Sequence, residues 1–373
     1  MYFRRRLLTF CLGLPLLLMA QQSSVSPEDR KRFEEIKGRH DKGEQVSEED
    51  RAFAMKVMRA LNGGAAQNAN QKAATAQRNA EYAKAHPPHD SLGLIPLTEL
   101  GKGQYKGEEG GLYPGGGNTP PAKHLERGLK LAHEIVPLDA DGKPSPDGKI
   151  VLLTTGMSNT TMESQAFLKQ AAADHGINPH VVIIDGAQGG QTAHVIANPQ
   201  ANYWKVDEER LASAGVTARQ VQAVWFKQAN AGPTEEFPAE AKKLEEDIRV
   251  NIRILSDRFP NLKQVFLSSR IYAGYASTPL NPEPHAYETA FAVKWLIAEQ
   301  IAGKSDLKPW LAWGPYLWGD GMKPRKDGLV WTREDLGADG THPGDLGRVK
   351  VGKMLLDFFK TDATTRPWFA RKG

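Results

Sequence analysis

From Lys149 onward, short apolar runs alternate with stretches in which apolar residues recur every three or four positions. Ile150-Val151-Leu152-Leu153-Thr154, Val181-Val182-Ile183-Ile184, Val221-Gln222-Ala223-Val224-Trp225-Phe226, Val265-Phe266-Leu267 and Trp310 to Trp313 read as buried strands, being short and rich in β-branched and aromatic residues. Thr160 to Asp174, Pro238 to Arg258, His285 to Ile301 and Leu346 to Phe359 read as helices. In the second of these, Leu244, Ile248, Ile252 and Leu255 form one apolar stripe. Strands separated by helices at this rhythm predict a mostly parallel α/β sheet, covered on both faces, over residues 149–373.

The preceding residues follow a different pattern. Ser26-Pro27-Glu28-Asp29 offers an N-cap, a proline at the first helical position and acids in the first turn, and Ser47-Glu48-Glu49-Asp50 repeats most of that arrangement. Two helices in a hairpin are expected, and Ala65 to Ala85, with almost no large apolar residue, reads as a linker or weak helix completing a segment over 21–100. Residues 101–148 are expected to hold a loop and a lead-in helix. Gly101 to Gly117 has eight glycines in seventeen residues but neither the strand–turn–helix context nor the Lys-Ser or Lys-Thr of a phosphate cradle, so it reads as a conformationally demanding loop beside a cleft. His40-Asp41-Lys42-Gly43-Glu44 and Asp139-Ala140-Asp141-Gly142 look briefly like calcium loops, but neither has Glu at the twelfth position; both read as plain connections.

Charge and composition narrow the function classes. The 48 Lys and Arg against 44 Asp and Glu include Arg4, Arg5 and Arg6, without which the balance is 45 to 44, so a nucleic acid or anionic-membrane partner has no electrostatic basis. Those arginines precede an apolar run from Leu7 to Met19 that closes on Ala20. This has the shape of a signal peptide over 1–20, predicting a secreted or periplasmic protein. The only cysteine, Cys11, lies within it, so the mature chain is expected to have no thiol chemistry. Histidines 175, 180, 194 and 285 show no ligand spacing, and neither a metal nor a cofactor is expected.

In an open parallel sheet, ligands lie beyond the carboxyl ends of the strands. The first strand is followed by Gly156-Met157-Ser158-Asn159, the second by Gly186-Ala187-Gln188-Gly189-Gly190-Gln191-Thr192, and the third by Gln228-Ala229-Asn230; Asp339-Gly340-Thr341-His342 precedes the last helix. A serine hydroxyl needs an imidazole to take its proton, and the imidazole needs a carboxylate to fix its tautomer. Ser158, His342 and Asp339 can fill these roles. The backbone N–H of Ser158, that of Gly190 and the Asn230 amide can supply an oxyanion hole, with Gly189 competing for the glycine position. Each of these residues alone is more often a cap or a turn; their order after successive elements carries the reading.

With these four blocks the sequence resembles the SGNH (GDSL-like) hydrolase superfamily, from Gly156-Met157-Ser158 through Gly190-Gln191-Thr192 and Asn230 to Asp339–His342. The resemblance covers about Lys149 to the C-terminus and implies a flavodoxin-like, doubly wound sheet and a Ser-His-Asp esterase acting without a cofactor. The chain departs from the family at Met157, where Asp is usual, and at Ala231, which follows the asparagine in place of Asp. The implied substrate is a small ester or an acylated carbohydrate, with an acetyl group as the leading acyl unit. A non-catalytic glycan-binding module on the same fold, or a protein that interacts through its hairpin and glycine-rich loop, is the alternative. Arg270 is expected at the cleft edge, either meeting an anionic substrate or forming a structural ion pair. Six of the eight tryptophans fall after residue 290, where they either stack on sugar rings or pack in the core.

Overall fold

A computed structural model of the chain describes residues 25–41 and 47–371. The signal-like segment 1–20 and the connection over 42–46 lie outside the described residues. Among the described residues no helix is long and apolar enough to cross a membrane. The chain divides between Gln77 and Arg78 into two compact units.

In the first unit, helix α1 (Pro27–Asp41) and the start of α2 (Glu48–Ala85) bury Val25, Phe33 and Val57 together. Both expected caps form: Ser26 Oγ accepts the Asp29 N–H at 3.0 Å and Ser47 Oγ accepts the Asp50 N–H at 3.1 Å. The Arg32 guanidinium donates to Asp50 at 3.0 Å and lies over the Phe53 ring. The alanine-rich stretch is no separate linker: α2 runs unbroken to Ala85. Alanine has the highest intrinsic helix propensity and no proline interrupts 48–85, so residues 71–85, which are mostly exposed, need no packed face to stay helical.

In the second unit, five parallel strands form one sheet: β1 (Ile150–Gly156), β2 (Val181–Asp185), β3 (Val221–Lys227), β4 (Gln264–Leu267) and β5 (Trp310–Trp313). Their spatial order is β2-β1-β3-β4-β5, the flavodoxin-like order. β1, β3, β4 and β5 are buried at every position, which is why their sequences are continuous apolar runs rather than alternating ones. Helices α3 (Ala122–Glu134), α4 (Ser158–Ala172), α5 (Asn202–Ser213), α6 (Ala239–Arg258), α7 (His285–Ile301) and α8 (Asp345–Thr361) cover it. α4 packs on α8, and α6 on α7. Right-handed crossovers place α4 on one face and α5, α6 and α7 on the other, because the chain steps outward from β1 to β2 and then back across the sheet. The point where that direction reverses, between β2 and β3 at the carboxyl end of β1, is where a ligand crevice opens.

The glycine-rich segment is pinned rather than loose. It contains a two-stranded ribbon, Gln104–Tyr105 against Glu108–Glu109. The Tyr105 hydroxyl donates to Glu288 at 2.7 Å, the Trp295 indole to Glu108 at 3.0 Å and the Trp313 indole to the Leu112 carbonyl at 2.7 Å, while Lys294 donates to the Glu109 and Gly110 carbonyls. Asp139 Oδ1 accepts the N–H groups of Asp141 and Lys143, making that acidic stretch a turn ahead of β1. Trp310, Trp313, Trp318, Trp331 and Trp368 are buried in the core and Trp295 packs against it, so packing, and not sugar stacking, accounts for the late tryptophans.

Candidate active site

β1 ends at Gly156, where an added Cβ would lie 2.3 Å from the Lys227 carbonyl and from Thr160 Oγ1, so the close approach of β1, β3 and α4 requires glycine. Met157 follows in an extended conformation with its side chain buried, and Ser158 opens α4. This sets the hydroxyl at a helix N-terminus, among backbone N–H groups that have no intrahelical partner.

Ser158 Oγ lies 2.7 Å from His342 Nε2, and His342 Nδ1 lies 2.6 Å from Asp339 Oδ2. The tautomer this chain of contacts demands carries its proton on Nδ1, leaving Nε2 to accept from the serine. The other Asp339 oxygen accepts the N–H groups of Thr341 and His342, each at 3.0 Å, so one carboxylate both folds the turn and aims the ring. Burial pushes the Asp339 carboxyl upward, but the hydrogen bonds from the His342 ring and from these two N–H groups outweigh it and hold it at about 2. Gly340 is left-handed at φ +64°, and a Cβ there would fall 1.8 Å from the Tyr275 carbonyl.

The loop after β2 runs along the end of β1. Gly186 N–H donates to the Thr154 carbonyl and Gln188 N–H to the Gly156 carbonyl, each at 3.0 Å. A Cβ on Gly189 would meet Ser158 Cβ at 4.0 Å, whereas Gly190, at φ +75°, faces open space. Gly189 thus passes close to the serine side chain, and Gly190 takes the left-handed turn conformation next to it. Asn230 is held at both ends of its amide: Oδ1 accepts the His194 N–H at 2.9 Å and Nδ2 donates to Asp247 Oδ2 at 2.6 Å. One Nδ2 hydrogen remains outside those bonds. Gly190 and Asn230 line one groove with Thr192, His194 and Asp247.

Arg270 departs from expectation. It is fully buried, with no surface to offer an anionic substrate, and it makes no hydrogen bond to a carboxylate. Its Nη2 donates to the Thr341 carbonyl at 3.1 Å instead, while Nε and Nη1 have no hydrogen-bond partner. From the loop after β4 the guanidinium reaches the backbone of the turn that carries Asp339 and His342, which leaves it no exposed surface. Reasoning from sequence also missed Asp247, which reaches Asn230 from α6, and Asn159, whose Nδ2 donates to the Thr341 carbonyl at 2.8 Å. Nothing in the sequence pattern marks either, since one sits on a charged helix face and the other bonds a backbone atom. Beneath the site, Lys227 at the end of β3 pairs with Glu163 of α4 at 2.5 Å, both fully buried. No group of side chains suited to holding a metal occurs among the described residues.

No family model matches this sequence, and no curated protein matches it either. Solved structures do show likeness at low identity. A protein from Streptococcus pneumonia described as a platelet activating factor is 11% identical, with a TM-score of 0.36, over 63% of this chain and 92% of that one. The periplasmic domain of a lipopolysaccharide acetyltransferase from Salmonella ser. Paratyphi A is 10% identical, with a TM-score of 0.33, over 57% of this chain and 84% of that one. A gut microbial diltiazem-metabolizing enzyme is 10% identical, with a TM-score of 0.35, over 58% of this chain and 47% of that one.

Proposed function

We propose that this chain is an exported serine esterase of the SGNH type that hydrolyses a short acyl ester, with acetyl as the leading acyl group. The observation that carries the proposal is the unbroken hydrogen-bonded series from Ser158 through His342 to Asp339, drawn from two regions far apart in the chain. Ser158 Oγ attacks the acyl carbon as its proton passes to His342 Nε2. The tetrahedral oxyanion is received by the Ser158 N–H, by an N–H of the Gly189–Gly190 turn and by the free Asn230 Nδ2 hydrogen. Collapse breaks the ester C–O bond, and the departing alcohol takes the proton from His342. Water then attacks the acyl-enzyme with His342 as base, releasing the carboxylic acid and restoring the serine. Asp339 stabilises the imidazolium at both stages. No cofactor enters these steps. The adjoining groove, with Thr192, His194, Lys243, Glu246 and Asp247 on its walls, suits a hydroxyl-bearing alcohol such as a carbohydrate.

The test is covalent labelling. Purified protein treated with a fluorophosphonate should gain one adduct, mapped to Ser158, and should turn over an aryl acetate; Ser158→Ala should lose both. No adduct and no turnover that depends on Ser158 would rule the reading out. A panel of acetylated oligosaccharides and lipid esters, read by released acid, then identifies the alcohol.

A further inference from the structure

The Thr341 carbonyl, one residue before His342, accepts from two buried side chains at once: Asn159 Nδ2 at 2.8 Å and Arg270 Nη2 at 3.1 Å. Asn159 is the residue after Ser158, so the two reacting side chains are tied together through their neighbours as well as through their own contact. Three separate elements meet at this one oxygen: the first turn of α4, the loop after β4 and the turn before α8. Both donors are almost wholly buried, Asn159 at 1% and Arg270 at 0% exposure, so water does not compete for the carbonyl.

The geometry points to Asn159 and Arg270 as positioning residues that set the height of His342 relative to Ser158. This assignment rests on the esterase reading for its kinetic consequence, though not for its structural one. Other bonds hold the turn within itself and to its flank: Asp339 Oδ1 accepts the Thr341 and His342 N–H groups, the Gly337 N–H donates to the His342 carbonyl at 2.8 Å and the Ser277 N–H donates to the Asp339 carbonyl at 2.8 Å; none of these reaches α4. The clamp on the Thr341 carbonyl thus adds a tie at the first turn of α4 beside the Ser158–His342 hydrogen bond, whose proton leaves during the reaction; the packing of α8 on α4, with Gln170 Nε2 donating to the Val349 carbonyl at 3.0 Å, lies further along the two helices. The guanidinium suits the task because it is planar, always charged and rigid along its fork. Its Nε and Nη1 make no hydrogen bond, and the carboxylates of Glu163, Glu283 and Asp339 favour its charge through space without touching it.

The test compares Asn159→Ala and Arg270→Met with Asn178→Ala, which removes a side-chain donor to the Trp368 carbonyl ahead of β2, at the opposite end of the sheet. Two readouts are taken on the full chain. One is aryl acetate hydrolysis; the other is the downfield proton NMR resonance of the His342 Nδ1–H shared with Asp339, assigned by its loss in His342→Ala. Asn159→Ala and Arg270→Met should lower kcat on the order of tenfold to a hundredfold with KM nearly unchanged, and should shift or broaden the resonance. Asn178→Ala should move neither. If Arg270→Met fails to fold, Asn159→Ala decides the matter alone. A wild-type kcat and an unmoved resonance in Asn159→Ala would overturn the proposal. A resonance that responds as expected in a protein that hydrolyses no ester would uphold the positioning role and sink the esterase reading instead.

Discussion

Glu163→Gln is the substitution whose energetic outcome the structure defines most sharply. Lys227 Nζ lies 2.5 Å from each Glu163 oxygen, with exposures of 1% and 0% for the two side chains. At an effective dielectric of about 20, unit charges this close attract by about 7 kcal/mol. Desolvation of each ion costs several kcal/mol, so the net worth of the pair is small, yet breaking it by removing one partner costs about 3–5 kcal/mol. The cost is unequal here because Arg270 is a second buried cation acting on Glu163. Glu163→Gln strands Lys227 and removes one of the three carboxylates that favour Arg270, and should cost the full amount, whereas Lys227→Met leaves Glu163 facing Arg270 and should cost about 1–2 kcal/mol, the pairing being only partly lost.

Burial pushes Lys227 down to about 8 in the intact protein, and without Glu163 to oppose that effect it should fall further. A lysine depressed in the folded state binds its proton more strongly when unfolded, so stability rises with pH across the gap between its two values. The deficit of Glu163→Gln relative to wild type should therefore shrink as pH is raised from about 6 to about 8. All eight tryptophans lie beyond residue 77, so urea unfolding followed by their fluorescence reports the second unit directly. Equal losses for the two substitutions, or a deficit that does not change with pH, would refute the reasoning.

Gly340→Ala forces a side chain into a left-handed position 1.8 Å from the Tyr275 carbonyl, so the turn that carries Asp339 and His342 must shift; fluorophosphonate labelling of Ser158 should slow on the order of 10²-fold, and an unchanged rate would show that the turn yields without displacing His342. Asp339→Asn should lower kcat by roughly 10⁴ by disturbing the imidazole tautomer, as measured on an aryl acetate. Because Asp339 is held at about 2, its contribution to stability is complete above the ordinary carboxylate range and disappears as pH falls toward that value. The Asn variant should accordingly show a flatter acid unfolding profile, and an identical slope would contradict the assignment. Asn230→Ala should reduce kcat by about 10²–10³ with little change in KM, the signature of a donor used chiefly in the transition state; a change confined to KM would place the amide in ground-state binding.

Most of the sheet was legible because β1, β3, β4 and β5 are buried on both faces, which writes them into the sequence as uninterrupted apolar runs; β1, β3 and β5 start where those runs start. Helix α5 escaped because its buried residues, Tyr203, Trp204 and Leu211, are interleaved with charged ones and leave only a faint stripe. The serine, histidine and aspartate were visible as side chains of the right chemistry at strand and helix ends. Their supports were not. Asn159 and Arg270 act on a backbone oxygen, and every residue has one, so no spacing rule marks that partner. Arg270 also shows the limit of placing residues by strand end alone: the chain position was at the carboxyl edge, but the side chain reaches the backbone of the turn that carries Asp339 and His342 and has no exposed surface.

The two oxygens of Asp339 divide their labour, one closing a turn and the other holding a ring. Closure of the last loop and orientation of the imidazole are thereby welded together: until the turn forms, nothing aims the His342 ring at Ser158.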